Sequence, residues 1–181
     1  MSGSSHYKPA DAADRQKYIS KDANGVITIK PRGLNVIWGA DERYWKIDTK
    51  NDDSAAELVQ VCWLEVTGEI QVKDYLEAKK EYKLIFNVEL KPDAFGWKES
   101  PVHFMVKPGT RGRMWKRCYL GSSPKNTNKM DPFQASRDDK DPGLKFKVAE
   151  DAKTVYFGMF EIWNGTWKGG LKIINVEVKP V

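Results

Sequence analysis

Only two cysteines and two histidines occur among the 181 residues. Cys62 and Cys118 are too few for a disulfide framework. Both fall in strand-like stretches, as small buried thiols do; a cross-link between chains after oxidation is the other reading. His6 and His103 stand in no ligand spacing with the cysteines, and the acidic residues follow no calcium-loop pattern. No metal and no cofactor is therefore expected. Residues 1–25 hold no apolar core of signal-peptide length, and no run is long enough to cross a membrane. A cytoplasmic protein without membrane insertion follows, so the acceptor triplet Asn164-Gly165-Thr166 would not meet the glycosylation machinery. There is no phosphate-cradling glycine motif and no Ser/His/Asp arrangement. A glycosidase needs two carboxyls flanking one bond, and nothing sets Asp41, Glu42 and Glu161 face to face. No catalytic residue is assigned, and a non-enzymatic role is expected.

What is present is ordinary for a globular chain. Charged residues make up 30% and hydrophobic ones 40%, with a net charge of +5, enough for one domain with a real core. Residues 1–25 are polar and irregular, with one possible short helix over 10–19. They read as a flexible N-terminal extension. From residue 26 to 181 the pattern is β. Tyr82, Leu84, Phe86, Val88 and Leu90 alternate with polar residues, the period of a half-buried strand. Residues 58–66 read as one central strand, with 70–73 returning as a hairpin. Further strands are expected over 26–30, 34–38, 44–48, 102–106, 113–120, 144–148, 154–163 and 171–179. A capping-box spacing at Asp74 and Glu77 predicts one helical turn. Short strands separated by Gly, Pro, Asn and Asp indicate an all-β antiparallel sandwich or barrel. Residues 121–143 lack periodicity and read as a long loop.

The aromatics carry the chemistry. Trp38 and Trp45 stand seven residues apart across a polar turn, with Tyr44 beside the second. Two readings stand. The rings fill a core, as large aromatics commonly do, or they stack on a sugar's C–H face while Asp41 and other polar groups bind its hydroxyls. Asn164-Gly165 predicts a tight hairpin turn. That register sets Glu161, Trp163, Thr166 and Lys168 on one exposed face, and Phe160, Ile162 and Trp167 toward the core. Trp97 in the 95–98 loop is a further candidate ring. A second surface is basic: Arg111, Arg113, Lys116 and Arg117 surround Trp115, with Lys107 ahead of them. Cations mixed with an aromatic can track phosphates and stack bases, so RNA is the alternative partner.

Three stretches resemble the plant phloem lectins, the Nictaba-like phloem protein 2 family. They are Ile37-Trp38 with Tyr44-Trp45, Ala56-Glu57-Leu58-Val59-Gln60-Val61-Cys62-Trp63-Leu64-Glu65-Val66-Thr67-Gly68, and Phe160-Glu161-Ile162-Trp163-Asn164-Gly165-Thr166-Trp167-Lys168-Gly169-Gly170. The resemblance implies a jelly-roll-like β-sandwich, commonly a homodimer. It implies binding of N-acetylglucosamine oligomers and of glycoproteins that carry them, in phloem, without catalysis or metal. It ties Trp38 and Trp45 to sugar binding and points to Glu161. The expected carbohydrate-binding set is thus Trp38, Asp41, Tyr44, Trp45, Trp97, Glu161, Trp163 and Lys168.

Overall fold

The computed structural model describes residues 4–98, 100–120 and 143–181. In chain order the strands are β1 (Ile19–Lys21), β2 (Ile27–Ile29), β3 (Asn35–Val36), β4 (Trp45–Lys46), β5 (Ala56–Leu58), β6 (Leu64–Gln71), β7 (Glu81–Phe95), β8 (Val102–Lys107), β9 (Met114–Cys118), β10 (Leu144–Lys147), β11 (Thr154–Glu161) and β12 (Gly169–Pro180). Two short α-helices, α1 (Ala12–Gln16) and α2 (Val72–Tyr75), and a 3-10 turn over Pro31–Gly33 complete the regular structure among the described residues. This is the expected all-β sandwich of two antiparallel sheets. The loop expected over 121–143 falls, up to residue 142, outside the described residues.

The five-stranded sheet runs β3-β6-β11-β8-β9. In the seven-stranded sheet, β12 lies along β7 on one edge. Its other edge is shared: residues 176–178 pair with β2 and residues 171–173 with β5. Beyond these partners lie β1, β4 and β10. A register shift at Gly169/Leu171 gives the irregularity expected of the Gly169-Gly170 pair.

The core follows the pleat. Successive residues of β6 alternate between buried and half-buried, so Leu64, Val66 and Ile70 face inward. Tyr82, Leu84, Phe86 and Val88 of β7 do the same, as their spacing predicts. Phe86 meets Phe104 and Phe157 of the opposite sheet at centroid distances of 5.2 and 6.0 Å. Gly68 is where Phe157 enters. A Cβ there would come within 2.3 Å of the ring.

Three expectations need correction. The apolar run 58–66 is not one strand. It divides into β5 and β6, which belong to different sheets, and residues 59–63 carry the chain across. Residues 70–73 make no hairpin return, because β6 continues to Gln71 and α2 starts at Val72. From residue 4 to 25 the N-terminal extension is docked rather than free. β1 pairs with β2, Tyr7 bridges Val36, and Tyr18 is buried. Asp11 caps α1 by accepting the Asp14 N–H at 2.8 Å, and the Arg15 guanidinium donates to the Gly33 carbonyl. Polar composition concealed this packing because few, well-spaced apolar residues anchor the segment.

Candidate functional site

The chain leaves β3 through a tight corner. Gly39 N–H donates to the Val36 carbonyl, Asp41 N–H to that of Trp38, and Tyr44 and Trp45 N–H to that of Asp41. Trp38 sits at φ +64°, in the left-handed region. Bulky residues avoid that region unless the surroundings hold them there, and such positions gather at functional sites. Its indole is 38% exposed. The His6 ring meets it edge-on at 5.2 Å, and the Tyr44 ring lies 5.7 Å away on a tilt. Asp41 accepts from Arg43 Nε at 3.0 Å and Nη2 at 2.6 Å. Hydrogen bonds from the Arg43 side chain, then from its backbone N–H, hold the Asp41 carboxyl below its ordinary pKa. The same guanidinium lies over the Tyr44 ring at 5.4 Å. One exposed indole is thus bordered by a phenol, an imidazole, a carboxylate and a guanidinium. Such a site can stack on an apolar ring face and exchange hydrogen bonds with hydroxyls and amides.

Trp38, Asp41 and Tyr44 are therefore brought together, and Trp45 is not. Tyr44 is the last residue of the turn, and Trp45 opens β4. Tyr44 is half outward, and Trp45 lies in the core at 1% exposure, opposite Leu58. A ring so enclosed is no stacking platform. Trp97 is likewise buried, and its Nε1–H donates to the Gly169 carbonyl at 2.9 Å. Its role in this fold is to fasten the start of β12.

Glu161 and Lys168 do meet, at 2.5 Å, but within the protein, where neither side chain is more than 3% exposed. The expected hairpin does not form, since β11 and β12 belong to different sheets and residues 162–168 cross between them. Lys168 Nζ also donates to the Thr166 carbonyl, and its backbone exchanges hydrogen bonds with Val61. Asn164 donates from its N–H to Glu161 Oε1 and from Nδ2 to the buried hydroxyl of Ser100. Trp167, expected inside, is exposed, as is Trp163. The buried ion pair thus anchors a loop that carries two open indoles.

Trp163 belongs to a different surface from Trp38. On the outer face of the five-stranded sheet, Phe160, His103 and Arg117 align across β11, β8 and β9, with Met105 beside Trp115 in the next row. Trp163 packs edge-on against His103 at 4.7 Å and against Trp115 at 6.4 Å, and Trp115 lies 5.7 Å from Phe160. Burial, then the nearby Arg117 charge, push the His103 imidazole below its ordinary pKa. Lys107 lies over the Tyr156 ring at 5.9 Å. Trp115 and Arg117 share this face, and Lys116, between them, points away.

Sequence reasoning missed His6 and Arg43 at the Trp38 corner, and His103 and Phe160 beside Trp163. Arg43 had a usable signal, two residues after Asp41 in a turn. His6 had none. Among the described residues, no group of three or more His, Cys, Asp or Glu side chains is placed to hold a metal ion. Cys118 is buried and Cys62 is half-buried. No helix among the described residues is long and apolar enough to cross a membrane.

Residues 24–180 match the sequence profile of the phloem protein 2 family, PP2. The chain is 37% identical to the Protein PHLOEM PROTEIN 2-LIKE A9 of Arabidopsis thaliana over 98% of its own length and 97% of that protein. It is 35% identical to a lectin of Luffa acutangula over 51% of this chain and 46% of that one. Among solved structures, a Podospora anserina GH26-CBM35 β-(1,4)-mannanase superposes with a TM-score of 0.50 at 10% identity. The match covers 87% of this chain and 28% of that one, and it speaks for the fold alone.

Proposed function

Because this chain belongs to the phloem protein 2 family, we propose that it is a carbohydrate-binding lectin of the phloem that takes N-acetylglucosamine oligomers at the Trp38 corner. The observation that carries this reading is the exposed Trp38 indole, held at positive φ and bordered by Tyr44, Asp41 and Arg43. In this reading the indole stacks on a pyranose ring, and Asp41 and Arg43 serve its hydroxyl and acetamide groups. The kinship with a protein named a lectin supports the same ligand class. A binding role without catalysis fits the carboxylates. Asp41 is clamped by Arg43 and Glu161 is buried against Lys168, so neither stands opposite a free partner as glycoside hydrolysis needs. Pairing of two copies would raise avidity for branched glycoproteins.

Calorimetry tests this directly. Affinity should rise from one to three N-acetylglucosamine units. Trp38→Ala should weaken chitotriose binding about thirtyfold, the loss of an interface anchor of roughly 2 kcal/mol. Its melting temperature should hold, because an exposed ring leaves no internal cavity. A folded Trp38→Ala protein with parental affinity removes the site.

A second reading has its own observation. Trp115, Phe160, Trp163 and His103 sit on one sheet face with Arg117, and Lys107 lies at its far end. Stacking rings with cations beside them suit single-stranded RNA. That activity should weaken steeply as salt rises and be lost in Trp115→Ala, leaving chitotriose binding intact. RNA affinity that ignores salt and Trp115 would dismiss it.

A further inference from the structure

The family profile begins at residue 24, yet the Trp38 corner is built partly from residues ahead of it. Residues 5–7 run antiparallel to residues 36–40 as a strap. Tyr7 and Val36 exchange both backbone hydrogen bonds, at 2.9 and 2.8 Å, and the Ala40 N–H donates to the Ser5 carbonyl at 3.1 Å. Between these rungs the Trp38 N–H donates to His6 Nδ1 at 3.0 Å, and the His6 ring lies edge-on to the indole. The Tyr7 hydroxyl donates to the Arg32 carbonyl, which ties the strap to the turn before β3. Gly39 makes the close approach possible, since a Cβ there would stand 2.8 Å from the Tyr7 Cβ.

The arrangement answers a question raised by the backbone. A tryptophan at φ +64° is costly unless neighbouring groups hold it. The His6 acceptor takes the amide of that very residue, and the His6 ring limits where the indole can swing. We propose that residues 5–7 form one wall of the carbohydrate site, and that His6 is a positioning residue that fixes Trp38 for sugar stacking. This rests on the lectin reading of the corner. It adds that the binding unit extends beyond the family-wide domain, and that the strap determines how the stacking ring is presented.

The test uses the full chain with three single substitutions, chitotriose calorimetry, and hydrogen exchange at the Trp38 amide followed by NMR. His6→Ala removes both the acceptor and the ring. Amide exchange at Trp38 should quicken about tenfold, and chitotriose binding should weaken by a similar factor, the scale of one lost hydrogen bond and ring contact. His6→Asn keeps an acceptor at nearly the same place, so it should restore most of the Trp38 protection and much of the affinity. A generally destabilised chain would not show that rescue. Trp38→Ala is the reference for the site itself. If His6→Ala binds chitotriose like the parent and Trp38→Ala does not, the strap proposal is overturned and the lectin reading stands. Equal losses in both His6 variants with Trp38 exchange unchanged overturn it too. If Trp38 exchange responds to His6 but Trp38→Ala leaves sugar binding unaltered, the corner is not the sugar site and both readings fall.

Discussion

Lys168→Met should destabilise the protein by about 3–5 kcal/mol, the usual cost of leaving one partner of a buried ion pair without its counterion. Lys168 is fully enclosed, and its ammonium touches the Glu161 carboxylate and the Thr166 carbonyl. Removing it strands a carboxylate between the sheets, where water cannot replace the lost charge. The stranded group is also the one that accepts the Asn164 N–H, so residues 162–168 should loosen with it. Denaturant unfolding gives the magnitude. The companion variant is the double substitution Glu161→Leu with Lys168→Met, which removes both charges at similar volume. It should recover most of the loss, because buried pairs are replaceable by apolar residues even though neither half can be removed alone. If the single and double variants are equally unstable, the damage is one of packing and the ion pair is not its source.

Trp45→Ala should cost roughly 3–5 kcal/mol of stability, as large-to-small changes in packed cores do. The folded fraction should keep its chitotriose affinity. This is the reverse of the pattern expected at Trp38, seven residues earlier, where affinity falls and stability holds. A thermal melt paired with calorimetry separates the two tryptophans. Trp45→Phe sharpens the comparison. The Trp45 Nε1–H is buried with no hydrogen-bond partner among the described residues. Phenylalanine keeps an aromatic ring and discards the orphaned donor, so its cost should be far smaller than alanine's. A stable Trp45→Ala protein that no longer binds sugar would return Trp45 to the site.

The contrast between these residues shows which physics a sequence carries. Alternation along residues 82–90 is a purely local property of extended backbone, and the buried face of β7 could be read from it. The phase of alternation around Trp38 and Trp45 could not. It is set by a left-handed Trp38 and a corner closed by backbone hydrogen bonds, and neither leaves a periodic trace. Residues 58–66 misled for a related reason: the end of β5, the crossing and the start of β6 are all largely apolar, so the change of sheet leaves no break in the pattern. Glu161 and Lys168 were legible as neighbours on one face but not as a buried pair. Charge argues for the surface, and only the crossing of residues 162–168 between the sheets encloses them. His6 was invisible because a strap held by backbone bonds and a lone imidazole has no compositional signature. The N-terminal segment looked loose for the same reason.

The shared edge of β12 bears on how the molecule comes into being. On the ribosome, β1 with β2, β4 with β5, and β7 with β10 can each pair as their residues emerge, but none of these three pairs has a ladder to another. Two-stranded units are marginal in water. The seven-stranded layer thus stays in fragments until residues 169–180 are available to join them, with residues 27–29 closing onto residues 176–178. Such distant pairing makes folding slow. In the interval the apolar faces of β2, β5 and β7 wait uncovered, so the nascent chain is most exposed to misassociation just before β12 arrives.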